Sequence, residues 1–290
     1  MRWEGGEESE NVDDRRGMGS GGRLVVGGAG GVILIILALV FGVDPRQLLN
    51  PQGGGPPGQG GGPQIERQVD PEEDKLAHFA KVIFHDTELV WDEQFRAMGR
   101  EYVKPTLVLF SGRVDSACGM ASAAVGPFYC GQDQQVYIDL TFYRDMQRHL
   151  HSPGEFARAY VLAHEVGHHV QKLLGYSAIA EKSRRIQGGN RVAHEMSVRI
   201  ELQADFFAGV WAHHAQEKFH FLERGDLETA INAAFQIGDD RLQKERQGHV
   251  VPDSFTHGTS QQRMRWFEKG FETGDVAEAR QLFDFKYEDL

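Results

Sequence analysis

Cysteine is scarce in this chain of 290 residues, and positive charge is in deficit. The two cysteines, Cys118 and Cys130, can close at most one disulfide, which excludes a scaffold held together by several bridges. Lysine and arginine number 31 against 42 acidic residues, a formal net charge of -11. That balance argues against a nucleic-acid backbone as the main partner. Long apolar runs are missing too, with one exception from Leu24 to Val43, where no charge interrupts Val-Ile-Leu-Ile-Ile-Leu-Ala-Leu-Val. At about 1.5 Å per helical residue the run can cross a bilayer core of about 30 Å. No small-residue cleavage site follows it before Asp44 and Pro45, and its apolar core is longer than a signal peptide's, so the reading is a transmembrane helix over 24–43.

The flanks of that run set an expected topology. Arg15, Arg16 and Arg23 precede it, while Asp44 and a lone Arg46 follow. By the positive-inside rule the N-terminus stays in the cytoplasm and the body lies on the periplasmic or extracytoplasmic side of the inner membrane, held by a single pass. Residues 1–23 are polar, Gly-rich and charged without apolar periodicity, and read as a disordered cytoplasmic tail. Residues 44–68, nearly all Gly, Pro and Gln between Asn50 and Gln64, read as a linker. With 40% hydrophobic and 25% charged residues, what remains from 69 to 290 suffices for one large domain.

Within that domain, periodicity predicts a helix from Asp74 to Val90 and a second short one from Trp91 to Met98. Tyr102 to Phe110 looks extended, and Val136 to Tyr143 alternates as a half-buried strand, so a small sheet is expected. Cys118 and Cys130 lie in the Gly-, Ser- and Ala-rich loop between them and invite one disulfide if the domain is extracytoplasmic. Further helices are expected over Glu155 to Leu174, Asp226 to Gln247 and Asp275 to Phe283. One more starts at a capping box, Thr259-Ser260-Gln261-Gln262, and stops at Gly270.

The chemistry concentrates in His164-Glu165-Val166-Gly167-His168, an H-E-x-x-H pattern. Residues four apart share a helix face, so His164 and His168 can direct two imidazoles at one zinc ion. Glu165 is placed to take a proton from a water activated there, which points to hydrolysis. A catalytic zinc takes a third protein ligand. The metzincin continuation is absent, since Gln171 and Leu174 stand where it needs Gly and His. The alternative is the apolar segment carrying Glu201 and Asp205, again four apart. Glu201 is the expected third ligand, and Asp205 the expected partner of a ligand histidine's free N–H. His194 and Asp205 are fallback ligands. Two plainer readings stand beside this one: surface histidines on an amphipathic helix, and a Glu201 salt bridge to Arg199 or Arg191. His257, just before the capped helix, is either a loop histidine or a hydrogen-bond donor to an oxyanion. Neither cysteine is expected to bind zinc.

Taken together, these residues resemble the neutral zinc metallopeptidase family of bacteria, the YpfJ-like proteins. The likeness rests on Met1-Arg2-Trp3-Glu4, the stretch from Glu8 to Arg16, the single apolar span, the loop Cys118 to Cys130, the H-E-x-x-H motif, Glu201-Leu202-Gln203-Ala204-Asp205 and His257-Gly258-Thr259-Ser260. The resemblance implies an α+β, zincin-like metallopeptidase domain, mostly helical with a small sheet, acting on a peptide or protein substrate. The order H-E-x-x-H then E-x-x-x-D is also similar to membrane peptidases such as the CAAX-prenyl endopeptidases. The expectation is a membrane-anchored zinc endopeptidase. The alternatives are a non-catalytic envelope protein that uses the zinc fold to hold a partner, and a cell-wall peptide amidase.

Overall fold

The computed structural model describes residues 1–16, 70–122, 126–149, 154–179, 189–236 and 257–290. Helices predominate around a small sheet, the α+β class expected. Helix α1 (Pro71–Ala97) begins where the Asp70 carboxylate accepts the Glu72 backbone N–H and Pro71 takes the first helical position. No break separates two helices near Val90. Trp91 and Phe95 extend the buried stripe of Leu76, Phe79, Ile83 and Phe84, so one continuous helix covers the core.

The sheet has the order β1-β2-β6-β5, from β1 (Val12–Asp14), β2 (Thr106–Phe110), β5 (Phe128–Cys130) and β6 (Gln135–Asp139). Strands β1, β2 and β6 run parallel, and β5 is antiparallel to β6. A separate hairpin, β3 (Arg113–Ser116) and β4 (Gly119–Ser122), is joined to the end of β5 by the Cys118–Cys130 disulfide. One face of the sheet, with Val136 and Ile138, meets the main core. The other, with Val108 and Tyr137, packs with Val114, Ala121 and Phe128. Strand β6 is therefore buried on both faces rather than half-buried. It also ends four residues early, because Asp139 accepts the Thr141 backbone N–H at 2.9 Å and starts α2 (Leu140–His149). Being paired on both edges, β6 cannot take a further strand.

Over residues 1–16 the expected disordered tail is corrected by this sheet, and its remainder, 17–23, lies outside the described residues. Val12, Asp13 and Asp14 pair with Leu107, Val108 and Leu109. Upstream, Trp3 is 5% exposed and meets the Phe79 ring edge-on at 5.2 Å. Ser9 and Asn11 donate to the buried Glu88 at 3.0 and 2.8 Å, and the Met1 ammonium lies 3.0 Å from Asp226 and 3.1 Å from Glu223. A charged segment with few apolar residues looks disordered in isolation, but here the ordering cost is met by one buried indole, three ladder positions and satisfied carboxylates. Residues 1–16 are thus part of the same folded body as the described residues from Asp70 onward. Among the described residues no helix is long and apolar enough to cross a membrane, and the expected span 24–43 and linker 44–68 lie outside them.

Helix α3 (Glu155–Leu174) ends at Gly175, which has φ of +90°. It packs on α4 (Gly189–Phe219), and α5 (Asp226–Gln236) packs on α3 in turn. The rest of the helix expected to reach Gln247 lies outside the described residues. Helix α6 (Ser260–Thr273) starts at the expected capping box, with Thr259 and Gln262 bonding reciprocally. It runs past Gly270 to stop at Gly274. Gly270 is instead where α6 crosses α4, and a Cβ there would fall 2.0 Å from the Phe206 carbonyl oxygen. The last helix expected is split into a 3-10 turn (Val276–Arg280) and the short α7 (Gln281–Asp284).

Candidate metal centre

Two helices build the site. On α3 His164 and Glu165 are buried and His168 is half-buried, and α4 brings Glu201 and Asp205 against them. The approach is close because position 167 is glycine: a Cβ there would lie 2.9 Å from the Ala204 carbonyl oxygen. The His164 and His168 Nε2 atoms face one Glu201 oxygen at 3.3 and 3.7 Å. His164, His168 and Glu201 are a group of possible ligand atoms all within 4.8 Å of one another.

The far side of each imidazole is fixed. His164 Nδ1 donates to Asp205 at 2.8 Å, and His168 Nδ1 to Gln171 Oε1 at 2.9 Å, while the Gln171 amide donates to the Ile200 carbonyl at 2.5 Å. These contacts fix the orientation of both rings and leave both Nε2 atoms facing Glu201. Asp205 is itself held from two more directions. The Tyr160 hydroxyl donates to it at 2.6 Å, and the buried Arg263 guanidinium from α6 grips both its oxygens at 2.8 and 2.9 Å. Burial opposes ionisation of Asp205, but Arg263 and His164 more than offset it, and its pKa falls to about 2. The same carboxylate overcomes the burial of His164 and lifts that pKa to about 10. Glu201 stays well below the usual carboxylate range: burial pushes it up, and His168, His257 and His164 pull it further down.

The plainer readings can now be weighed. His164 is 7% exposed, which does not suit a surface histidine. Arg199 donates instead to the Leu282 carbonyl and Arg191 to Glu195, so neither is what faces Glu201. The fallbacks fall away as well: Asp205 is turned to His164 Nδ1, and His194 is not in the ligand group. His257 lies close enough for its charge to lower the Glu201 pKa. Cys118 and Cys130 are bonded to each other.

Glu165 is buried beside this group without belonging to it. Burial raises its proton affinity, and His168, His164 and, least, the nearby Tyr129 backbone amide oppose the rise. Strand β5, at the edge of the sheet, packs on α3 beside the site. A buried strut holds it there: the Tyr129 hydroxyl donates to His169 Nδ1 at 2.9 Å, and His169 Nε2 donates to the Val103 carbonyl at 2.6 Å. Burial lowers the His169 pKa to about 4, which keeps the strut neutral at physiological pH.

The donor chemistry fits zinc. Two imidazole nitrogens, which give up their Nε2 protons to a cation, and one carboxylate oxygen match the donor set of a three-ligand catalytic site. Bonds of about 2.0–2.1 Å in a tetrahedron place neighbouring donors about 3.3 Å apart, close to the spacings here. Sequence reasoning missed Tyr160, Gln171, Tyr129 and Arg263. For Gln171 the i, i+3 spacing from His168 was a usable signal. For Arg263 and Tyr129 there was none, since both arrive from distant elements.

Comparison with known proteins agrees with the site. The family model described as "Putative neutral zinc metallopeptidase" matches residues 1–282. The "Uncharacterized protein YpfJ" of Escherichia coli (strain K12) is 50% identical over 289 residues, covering 96% of this chain and 97% of that one. The "Uncharacterized protein Rv2575" of Mycobacterium tuberculosis is 44% identical over 184 residues, 60% of this chain and 61% of its own. No solved structure matches. From its first residue through His164, His168 and Glu201 to α7, then, this chain belongs to the family of putative neutral zinc metallopeptidases.

Proposed function

We propose that this chain is a zinc-dependent endopeptidase hydrolysing peptide bonds in peptide or protein substrates. The observation that carries the reading is the convergence of His164, His168 and Glu201 beside a buried, non-ligating Glu165. Zinc, when bound, supplies Lewis acidity, polarising a carbonyl and making water acidic enough to lose a proton near neutral pH. Glu165 is the base that accepts this proton and returns it to the leaving nitrogen. Asp205, Arg263 and Tyr160 keep His164 in the ligating orientation.

An extended substrate adds to the free edge of β5, the strand that packs on the helix carrying Glu165. Strand β6, paired on both edges, is not open to such an addition. Chelation tests the reading: cleavage of an unfolded protein such as casein is expected to stop in an excess of a zinc chelator and to return when zinc is restored. Cleavage that survives complete removal of zinc contradicts it.

We infer that the folded body, residues 1–16 included, lies on one side of the inner membrane, attached through the apolar segment. Pairing of β1 with β2 supports this, because any odd number of crossings between Arg16 and Asp70 would separate the two strands. The Cys118–Cys130 disulfide favours the oxidising, extracytoplasmic side. Single cysteines placed at the exposed Glu7 and Glu272, in a Cys118→Ser/Cys130→Ser background, are expected to react with a membrane-impermeant maleimide from the same side of the membrane. Labelling from opposite sides contradicts a shared compartment.

A further inference from the structure

A second cluster of metal-ligating side chains lies near the far end of α4, beyond the core-facing Trp211. His213, His214 and Glu217 present possible ligand atoms within 4.8 Å of one another. His213 Nε2 lies 3.5 Å from one Glu217 oxygen and His214 Nδ1 lies 3.4 Å from the other. These are the spacings that neighbouring donors adopt around a tetrahedral cation with bonds of about 2.0–2.1 Å.

An independent observation concerns the other nitrogen of each ring. His213 Nδ1 donates to the Phe271 carbonyl at 2.7 Å, and His214 Nε2 donates to the Gly274 carbonyl at 2.9 Å. Both tautomers are thereby fixed with the remaining lone pair turned towards Glu217, the arrangement by which outer carbonyls orient a ligating imidazole. Gly274 makes the geometry possible, since a Cβ at that position would lie 2.5 Å from His213 Cδ2. Glu217 is the most exposed of the three, its side chain 66% accessible, and leaves the cluster open to solvent. The end of a helix also favours a cation, because its unsatisfied carbonyls carry partial negative charge.

We propose that His213, His214 and Glu217 form a second divalent-cation site, suited by its two imidazoles and one carboxylate to zinc. It lies about 18 Å along α4 from Glu201, at 1.5 Å per residue, and is separate from the catalytic centre. Its ligands come from α4, and the carbonyls that orient them come from the last turn of α6 and the turn after it. A cation there clamps the end of α6 against α4, and α6 is the helix that carries Arg263 to Asp205. The site is structural: it stiffens the frame of the catalytic centre without touching substrate.

Zinc binding to the purified full-length chain tests this, with Zn2+ as the only probe. The wild type is expected to bind two equivalents. His213→Ala/His214→Ala binds one, and so does the gentler Glu217→Gln, whose side chain is too exposed for its replacement to unfold the domain. Glu201→Gln also binds one equivalent, and zinc raises its melting temperature; in Glu201→Gln/Glu217→Gln both the binding and that rise disappear. A single equivalent in the wild type that survives Glu217→Gln overturns the proposal, as does a Glu217→Gln variant that still binds two. A single equivalent in the wild type that is kept in Glu201→Gln but lost in Glu217→Gln would count against the catalytic centre and support this site.

Discussion

Replacing Glu165 with glutamine is expected to lower the kcat for peptide hydrolysis by roughly 10²- to 10⁴-fold, the usual contribution of a positioned general base. At 1.36 kcal/mol per decade that is about 2.7 to 5.4 kcal/mol of barrier. Glutamine matches the glutamate in size but cannot hold the transferred proton. Zinc content should not change, because Glu165 is not one of the clustered ligands. Steady-state kinetics beside a metal assay separate the two effects. A variant that keeps activity within threefold would remove Glu165 from the chemistry.

Glu201→Gln should act differently, through the metal. The carboxylate is 6% exposed and is the one oxygen that faces both Nε2 atoms. An amide of equal volume there offers a weaker, uncharged ligand. Loss of an outer partner of a ligand typically costs 10- to 100-fold in metal affinity, so loss of the ligand itself should cost more than about 100-fold. Competition against a chromogenic chelator measures this, and activity should collapse at limiting zinc and recover partly in excess. Wild-type zinc affinity in Glu201→Gln would place the third ligand elsewhere.

How much of this was legible in the sequence follows from the range of the interactions. His164 and His168 share a face by local geometry alone, and so do Glu201 and Asp205. What joins the two helices is a long-range contact, yet two carboxylates on an apolar helical face already required buried cationic or metal partners. Arg263 was not legible because an arginine three positions inside a capped helix looks solvent-facing until α6 is laid across α4. Residues 1–16 misled for the opposite reason. Their composition is that of a tail, and the pairing that orders them lies on β2, far along the chain. Gly270 misled because glycine serves both to end a helix and to let two helices touch, and periodicity cannot distinguish these uses. The early end of β6 has a local cause, since Asp139 favours helix initiation more strongly than the apolar alternation favours another strand pair.

The central claim is that His164, His168 and Glu201 hold a zinc ion whose hydrolytic use depends on Glu165. The most direct measurement is zinc content and casein cleavage by purified wild type, Glu165→Gln and Glu201→Gln, side by side at one pH. The account predicts cleavage by the wild type alone, with the same zinc in Glu165→Gln as in the wild type and one equivalent less in Glu201→Gln. Undiminished cleavage by Glu165→Gln, or a Glu201→Gln variant that keeps all its zinc, would contradict it.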